Sequence, residues 1–154
     1  MLGRRYETVN QPWGRKELNR AIRKSSGGSL DGFRRDIARL LGGRAEQAAF
    51  FDSARMGLRN LLKAIQDKNR KSVLISAMNC PVVVDAVKLS GLQPEYYDLA
   101  DSEGRINCES IVAKASSDCG IVIIPHLYGL PAASKQDLAY FREKNIMVIE
   151  DCAH

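Results

Sequence analysis

Residues 119–125 read CGIVIIP, seven residues with no charge and no polar–apolar alternation. A strand with one wet face alternates; a continuous apolar run is what a parallel sheet covered on both faces demands of its strands. Working outward, SVLIS (72–76), QPEYYDL (93–99) and IMVIED (146–151) read as further strands, and QAAFF (47–51) as a short first one. Between them lie stretches with helical periodicity. SARMGLRNLLKAIQDK (53–68) sets Ala54, Leu58, Leu61, Leu62 and Ile65 on one face. PVVVDAVKLSG (81–91) begins on Pro81 and stops on Gly91, as a helix should despite its valines. NCESIVAKASS (107–117) has Asn107 as a possible cap, and SKQDLAYFREKN (134–145) has Ser134. Strands and helices therefore alternate, which predicts an α/β fold: a mostly parallel, doubly wound sheet with helices on both faces.

Upstream of this pattern, SLDGFRRDIARLLGG (29–43) forms an amphipathic helix with Phe33, Ile37, Leu40 and Leu41 on one face, ending on Gly42-Gly43. Residues 1–28 read as a basic, irregular lead-in with one short helix, RKELNRAIRK, closed by the breaker cluster SSGGS. Residues 1–44 hold eleven Lys+Arg against four Asp+Glu, a net +7, so the remainder of the +5 chain is slightly acidic. A basic arm can meet nucleic acid or an acidic partner. These cations sit among helical apolar positions without interleaved aromatics, which fits a solvated helix face and gives no reason to expect nucleic acid.

The chain of 154 residues is long enough for one domain with a real core, and 45% apolar with 27% charged residues is a globular composition. The apolar runs are far too short to span a bilayer, and the N-terminus lacks the apolar region of a secretory signal, so no membrane is expected and the expected location is cytoplasmic. The four cysteines, Cys80, Cys108, Cys119 and Cys152, form no CxxC pair. The spacing of Cys152 and His154 is a weak metal signal, so no metal is expected and the thiols read as reduced and mostly buried.

In an open α/β sheet, ligands bind at the carboxyl ends of the strands. There the sequence offers DSARMG, AMNCP, PHLYG and EDCAH. DSARMG opens a helix with amides and the Ser53 hydroxyl, which suits a phosphate, or equally makes Ser53 an ordinary cap. Neither GxGxxG nor GxxxxGK[ST] is present, so dinucleotides and P-loop nucleotides are not favoured. Asp151 ends a buried strand, where a carboxylate needs a partner: a pyridinium nitrogen, a metal, or a neighbouring Lys or Arg.

The stretches SARMGL, SVLISAMNCPVVVDAVKLSGLQPEYYDLA, CGIVIIPHLYGLPA and IMVIEDCAH, in that order, resemble the DegT/StrS family over about residues 25–154. These are fold type I, pyridoxal-phosphate-dependent enzymes, mostly aminotransferases of nucleotide-linked keto sugars that also cycle through pyridoxamine phosphate. The resemblance implies that Ser53, Ala54 and Arg55 match a Ser-Gly-Thr turn whose backbone holds the cofactor phosphate, with Ala for Gly and Arg for Thr. Cys80 matches a position usually held by an aromatic that stacks on the pyridine ring. Asp151 matches the acid that pairs with the pyridinium nitrogen, and His154 the residue near the phenolic oxygen. His126 and Tyr128 match a loop that shapes the site, with His126 read as a structural cap of that loop.

In the family the Schiff-base lysine lies some tens of residues beyond the acid, and no lysine here matches it. The expectation is therefore an incomplete pyridoxal-phosphate-binding large domain over 29–154, without the small C-terminal domain. Its substrates would be a keto sugar and a glutamate or glutamine amino donor. It would form a homodimer or associate with a missing half, and would be inactive alone. The alternative is a non-catalytic piece that binds an intact aminotransferase subunit through the dimer surface. A dehydratase branch, in which His replaces that lysine, stays open.

Overall fold

The computed structural model describes residues 30–40 and 42–153. The expected lead-in 1–28 and its short helix, Leu41 and His154 lie outside the described residues. The described residues fall into two compact units that divide between Phe50 and Phe51.

In the first unit, α1 (Leu30–Leu40) forms where the amphipathic helix was expected. It ends on Gly42 at φ +71, whose amide bonds Arg39 O at 3.1 Å, while the Gly43 amide reaches Ala38 O at 2.7 Å. Glycine meets no Cβ penalty in this left-handed geometry. Phe33 packs on Phe50, ring centroids 5.1 Å apart. The expected strand 47–51 does not form. Ala45–Gln47 is a 3-10 turn, closed by the Ala48 amide on Ala45 O at 3.1 Å, and the Gln47 side chain takes the Arg44 amide at 2.9 Å. The start of QAAFF thus spends its backbone groups locally, and its two alanines add little β propensity to oppose that turn.

The second unit carries a four-stranded parallel sheet: β1 (Ser72–Ser76), β2 (Gln93–Tyr97), β3 (Cys119–Pro125) and β4 (Met147–Asp151), in the order β2-β1-β3-β4. Four helices accompany it: α2 (Ala54–Ile65), α3 (Pro81–Ser90), α4 (Cys108–Lys114) and α5 (Lys135–Glu143). The two faces follow from strand alternation. Val73, Ile75, Ile121 and Ile123 point to one side and pack with Leu62 of α2 and Val83 and Val87 of α3. Leu74, Val122 and Ile124 point to the other and pack with Ile111 of α4 and Phe141 of α5. Each fully buried aliphatic or aromatic side chain contributes roughly 1.5–3 kcal/mol over its exposed state. This double cover is why CGIVIIP carries no polar alternation.

The helix boundaries obey local chemistry. Pro81 opens α3 and Gly91, at φ +88, closes it. Asn107 caps α4 by accepting the Ser110 amide at 2.9 Å. Ser134 and Asp137 form a reciprocal capping box on α5. Pro94 sits on β2, an edge strand, where a missing donor is tolerated. From β1 the chain steps outward to β2, then returns to the opposite side of β1 for β3. The strand order therefore reverses between β1 and β3, and the crevice beyond their carboxyl ends is where such a sheet binds ligands.

Candidate functional site

At the carboxyl end of β4 and the turn after β1 lies a cleft of about 410 Å³. Its walls come from the start of α2 (Ala54, Arg55), the turn after β1 (Asn79, Cys80) and the end of β4 (Asp151, Cys152). Leu58, Leu61 and Ile149 supply an apolar floor. Four of the six residues singled out from sequence, Ala54, Arg55, Cys80 and Asp151, thus meet in one cavity. Ser53 adjoins it as the cap of α2, accepting the Met56 amide on its Oγ at 3.3 Å, which leaves its hydroxyl proton to donate. His154 lies outside the described residues.

Ala54 is the first residue of α2 and is not among the left-handed residues, so its methyl group costs nothing at this turn. The first amides of a helix have no partner within it, and the helix dipole adds positive potential at the same place. Arg55 stands in this first turn, is exposed, and forms no ion pair among the described residues.

In the same cleft, Asp151 is half-buried at the last position of β4. Its carbonyl accepts the His126 amide at 3.0 Å and its Oδ1 accepts the Ala153 amide at 3.2 Å. Its Oδ2 has no hydrogen bond among the described residues. No Lys or Arg among the described residues pairs with it, and among those residues no three metal-ligating side chains gather.

Asn79 and Cys152 were not among the cofactor-binding residues expected from sequence. Asn79 Oδ1 accepts the Cys80 amide at 2.7 Å, which leaves its buried Nδ2 without an acceptor. An orphaned buried donor costs about 1–3 kcal/mol and is uncommon in folded proteins. The signal was adjacency, since each flanks a residue already chosen. His126 takes the structural part expected of it. Its Nδ1 accepts the Ala132 amide and its Nε2 meets Glu150 Oε1, both at 3.0 Å, which pins the loop after β3 to β4. Tyr128 is exposed at φ +56 in that loop and does not line the cleft.

The expectation of mostly buried cysteines needs correction. All four are free, but only Cys108 and Cys119 are buried. The polar strand ends hold Cys80 and Cys152 at the surface of the cleft.

The profile of the DegT/DnrJ/EryC1/StrS aminotransferase family matches residues 15–154. The chain belongs to this family. Among curated proteins it is 24% identical over 108 residues to the GDP-perosamine synthase of Escherichia coli O157:H7, covering 70% of this chain and 30% of that one. It is 25% identical over 126 residues to protein MosB of Rhizobium meliloti, covering 82% and 24%. The chain thus spans less than a third of the length of these relatives. Of solved structures, the aminotransferase TlmJ from Streptoalloteichus hindustanus superposes with a TM-score of 0.78 at 21% identity, covering 91% of this chain and 40% of that one. The E. coli GDP-4-keto-6-deoxy-D-mannose-3-dehydratase with bound hydrated PLP gives 0.69 at 15% identity, covering 92% and 39%. The fold is that of the fold type I, pyridoxal-phosphate-dependent aminotransferases. Among the described residues, no helix is long and apolar enough to cross a membrane.

Proposed function

We propose that this chain forms the cofactor-binding core of a pyridoxal-phosphate-dependent sugar aminotransferase. The observation that carries this is that Asp151 and the start of α2 line one cleft. Within the family this reading rests on relatives described as a GDP-perosamine synthase and as DesI with its TDP-sugar product. The acceptor is proposed to be a keto sugar, in keeping with nucleotide-linked substrates, and the donor glutamate or glutamine. The working assembly is proposed to be a homodimer or a complex with the remaining part of the enzyme.

The residues divide the work by charge. The amides of Ala54 and Arg55 and the Ser53 hydroxyl would hold a phosphate through hydrogen bonds aimed out of α2, and the Arg55 guanidinium would add a full positive charge. The carboxylate of Asp151 would keep a pyridine nitrogen protonated by offering its unused Oδ2. Cys80 would lie against the ring, packing without the stacking an aromatic provides. Leu58, Leu61 and Ile149 would exclude water from one side and so strengthen the Asp151 contact. Bound in this way, pyridoxal phosphate supplies an electron sink for the carbon that gives up or receives the amino group. His154 is proposed to approach the phenolic oxygen.

An absorbance titration of the purified chain with pyridoxal phosphate tests this. A saturable change that inorganic phosphate competes away is expected. A linear response without saturation would count against the reading.

A further inference from the structure

Two of the four thiols face the same cleft. Cys80 caps α3 and Cys152 directly follows β4; both are exposed and both line the 410 Å³ cavity. The other two are closed off. Cys108 donates to Asp137 Oδ1 at 3.1 Å, and burial first, then this carboxylate, pushes its thiol up to about 12. Cys119 lies within the sheet, donating to Ile121 O at 3.5 Å, and burial raises its thiol as well. Access is a condition of cysteine reactivity, so the fold separates one accessible pair from one closed pair.

We propose that Cys80 and Cys152 form a thiol-modification site for small disulfides, and that an adduct on either closes the cleft to its ligand. In the exchange, the cysteine sulfur attacks one sulfur of the small disulfide. A new S–S bond forms, the original one breaks, and the leaving thiolate takes up the proton that the cysteine lost. No net oxidant beyond the disulfide is needed, and a small thiol reverses the step. Clefts for small ligands run about 300–1,000 Å³, so one of 410 Å³ has room for a single occupant. The closing effect, though not the reactivity, rests on the function proposed above.

The test uses the purified chain and glutathione disulfide, with intact mass, peptide mapping and a pyridoxal phosphate titration before and after treatment. Adducts are expected on Cys80 and on Cys152, one per molecule, forming at least tenfold faster than any on Cys108 or Cys119. The treated chain should lose at least tenfold in affinity and recover it with dithiothreitol. The double variant Cys80→Ser/Cys152→Ser should bind equally before and after treatment. Equal labelling of all four cysteines, or none on this pair, overturns the proposal. So does a fully labelled chain that binds pyridoxal phosphate as the unlabelled one does. If the unlabelled chain does not bind at all, the cofactor reading fails, and the peptide map alone decides the thiol site.

Discussion

The imidazole of His126 bridges Glu150 and the Ala132 amide, with both contacts at 3.0 Å. Because Nδ1 accepts the amide proton, the neutral ring carries its own proton on Nε2 and donates it to the carboxylate. One side chain thereby joins the loop after β3, the end of edge strand β4, and the segment in which Ala132 O also receives the Ile106 amide at 3.1 Å. His126→Ala should therefore cost about 1–3 kcal/mol, since the amide of buried Ala132 loses its acceptor. Glu150→Gln retains an acceptor at an exposed position and should cost less than about 1 kcal/mol. Urea unfolding midpoints separate the two; equal midpoints would remove the bridging role.

At the opposite end of the sheet, Arg70 lies over Gly120, and a Cβ at residue 120 would stand 2.9 Å from Arg70 Cβ. Its guanidinium donates to Asn145 O at 2.5 Å and Cys119 O at 3.4 Å, so the side chain cannot swing away freely. Gly120→Ala should destabilise by about 1–3 kcal/mol. Adding Arg70→Ala should cost less than the sum of the single changes, as contacting residues do. Additivity in thermal unfolding would contradict the packing.

Glu95 on β2 binds the Ser116 amide at 2.9 Å and also the Ser116 hydroxyl, which lies 3.1 Å from that of Ser72. Partial burial works against its ionisation. The hydrogen bonds from Ser116 and Ser72 prevail and hold the carboxyl below its usual 4.5. A folded value below the unfolded one gives stability that is present above the unfolded value. That stability is lost as pH falls through the folded value. Glu95→Gln should flatten the acid limb of the stability profile below the ordinary value of 4.5. An unchanged limb would mean that the serines do not favour the charged form.

Much of this fold was legible because its sheet is covered twice. Uninterrupted apolar runs placed β1 and β3, and caps such as Pro81, Gly91, Asn107 and Ser134 placed the helices. The strand expected at 47–51 failed because the choice between a pairing strand and a turn depends on a ladder partner, which a local pattern does not contain. The candidate site was legible where a charge met a strand end, as at Asp151, and where a helix opened, as at Ser53. Asn79 escaped notice because its orphaned amide proton is a property of three-dimensional surroundings. The exposure of Cys80 and Cys152 escaped for the same reason.

Ser53 is proposed to serve both α2 and a bound phosphate, and one variant can read both effects. Ser53→Ala should lower stability by about 0.5–2 kcal/mol through the lost cap. It should also weaken pyridoxal phosphate binding. Ser53→Asp keeps a capping oxygen but adds negative charge, so it should preserve stability and still abolish binding. Binding retained by the Asp variant would place the phosphate elsewhere.

The most direct measurement is the pyridoxal phosphate affinity of the native chain against Asp151→Asn, with circular dichroism of each. Asn keeps the shape and the Oδ1 acceptor for the Ala153 amide, so the fold should be unchanged. It lacks the charge that holds a ring nitrogen protonated. At least a tenfold loss of affinity with an unaltered spectrum is the result this account predicts. Equal affinity in the two proteins would contradict it, because the Asp151 carboxylate would then have no part in binding the ring.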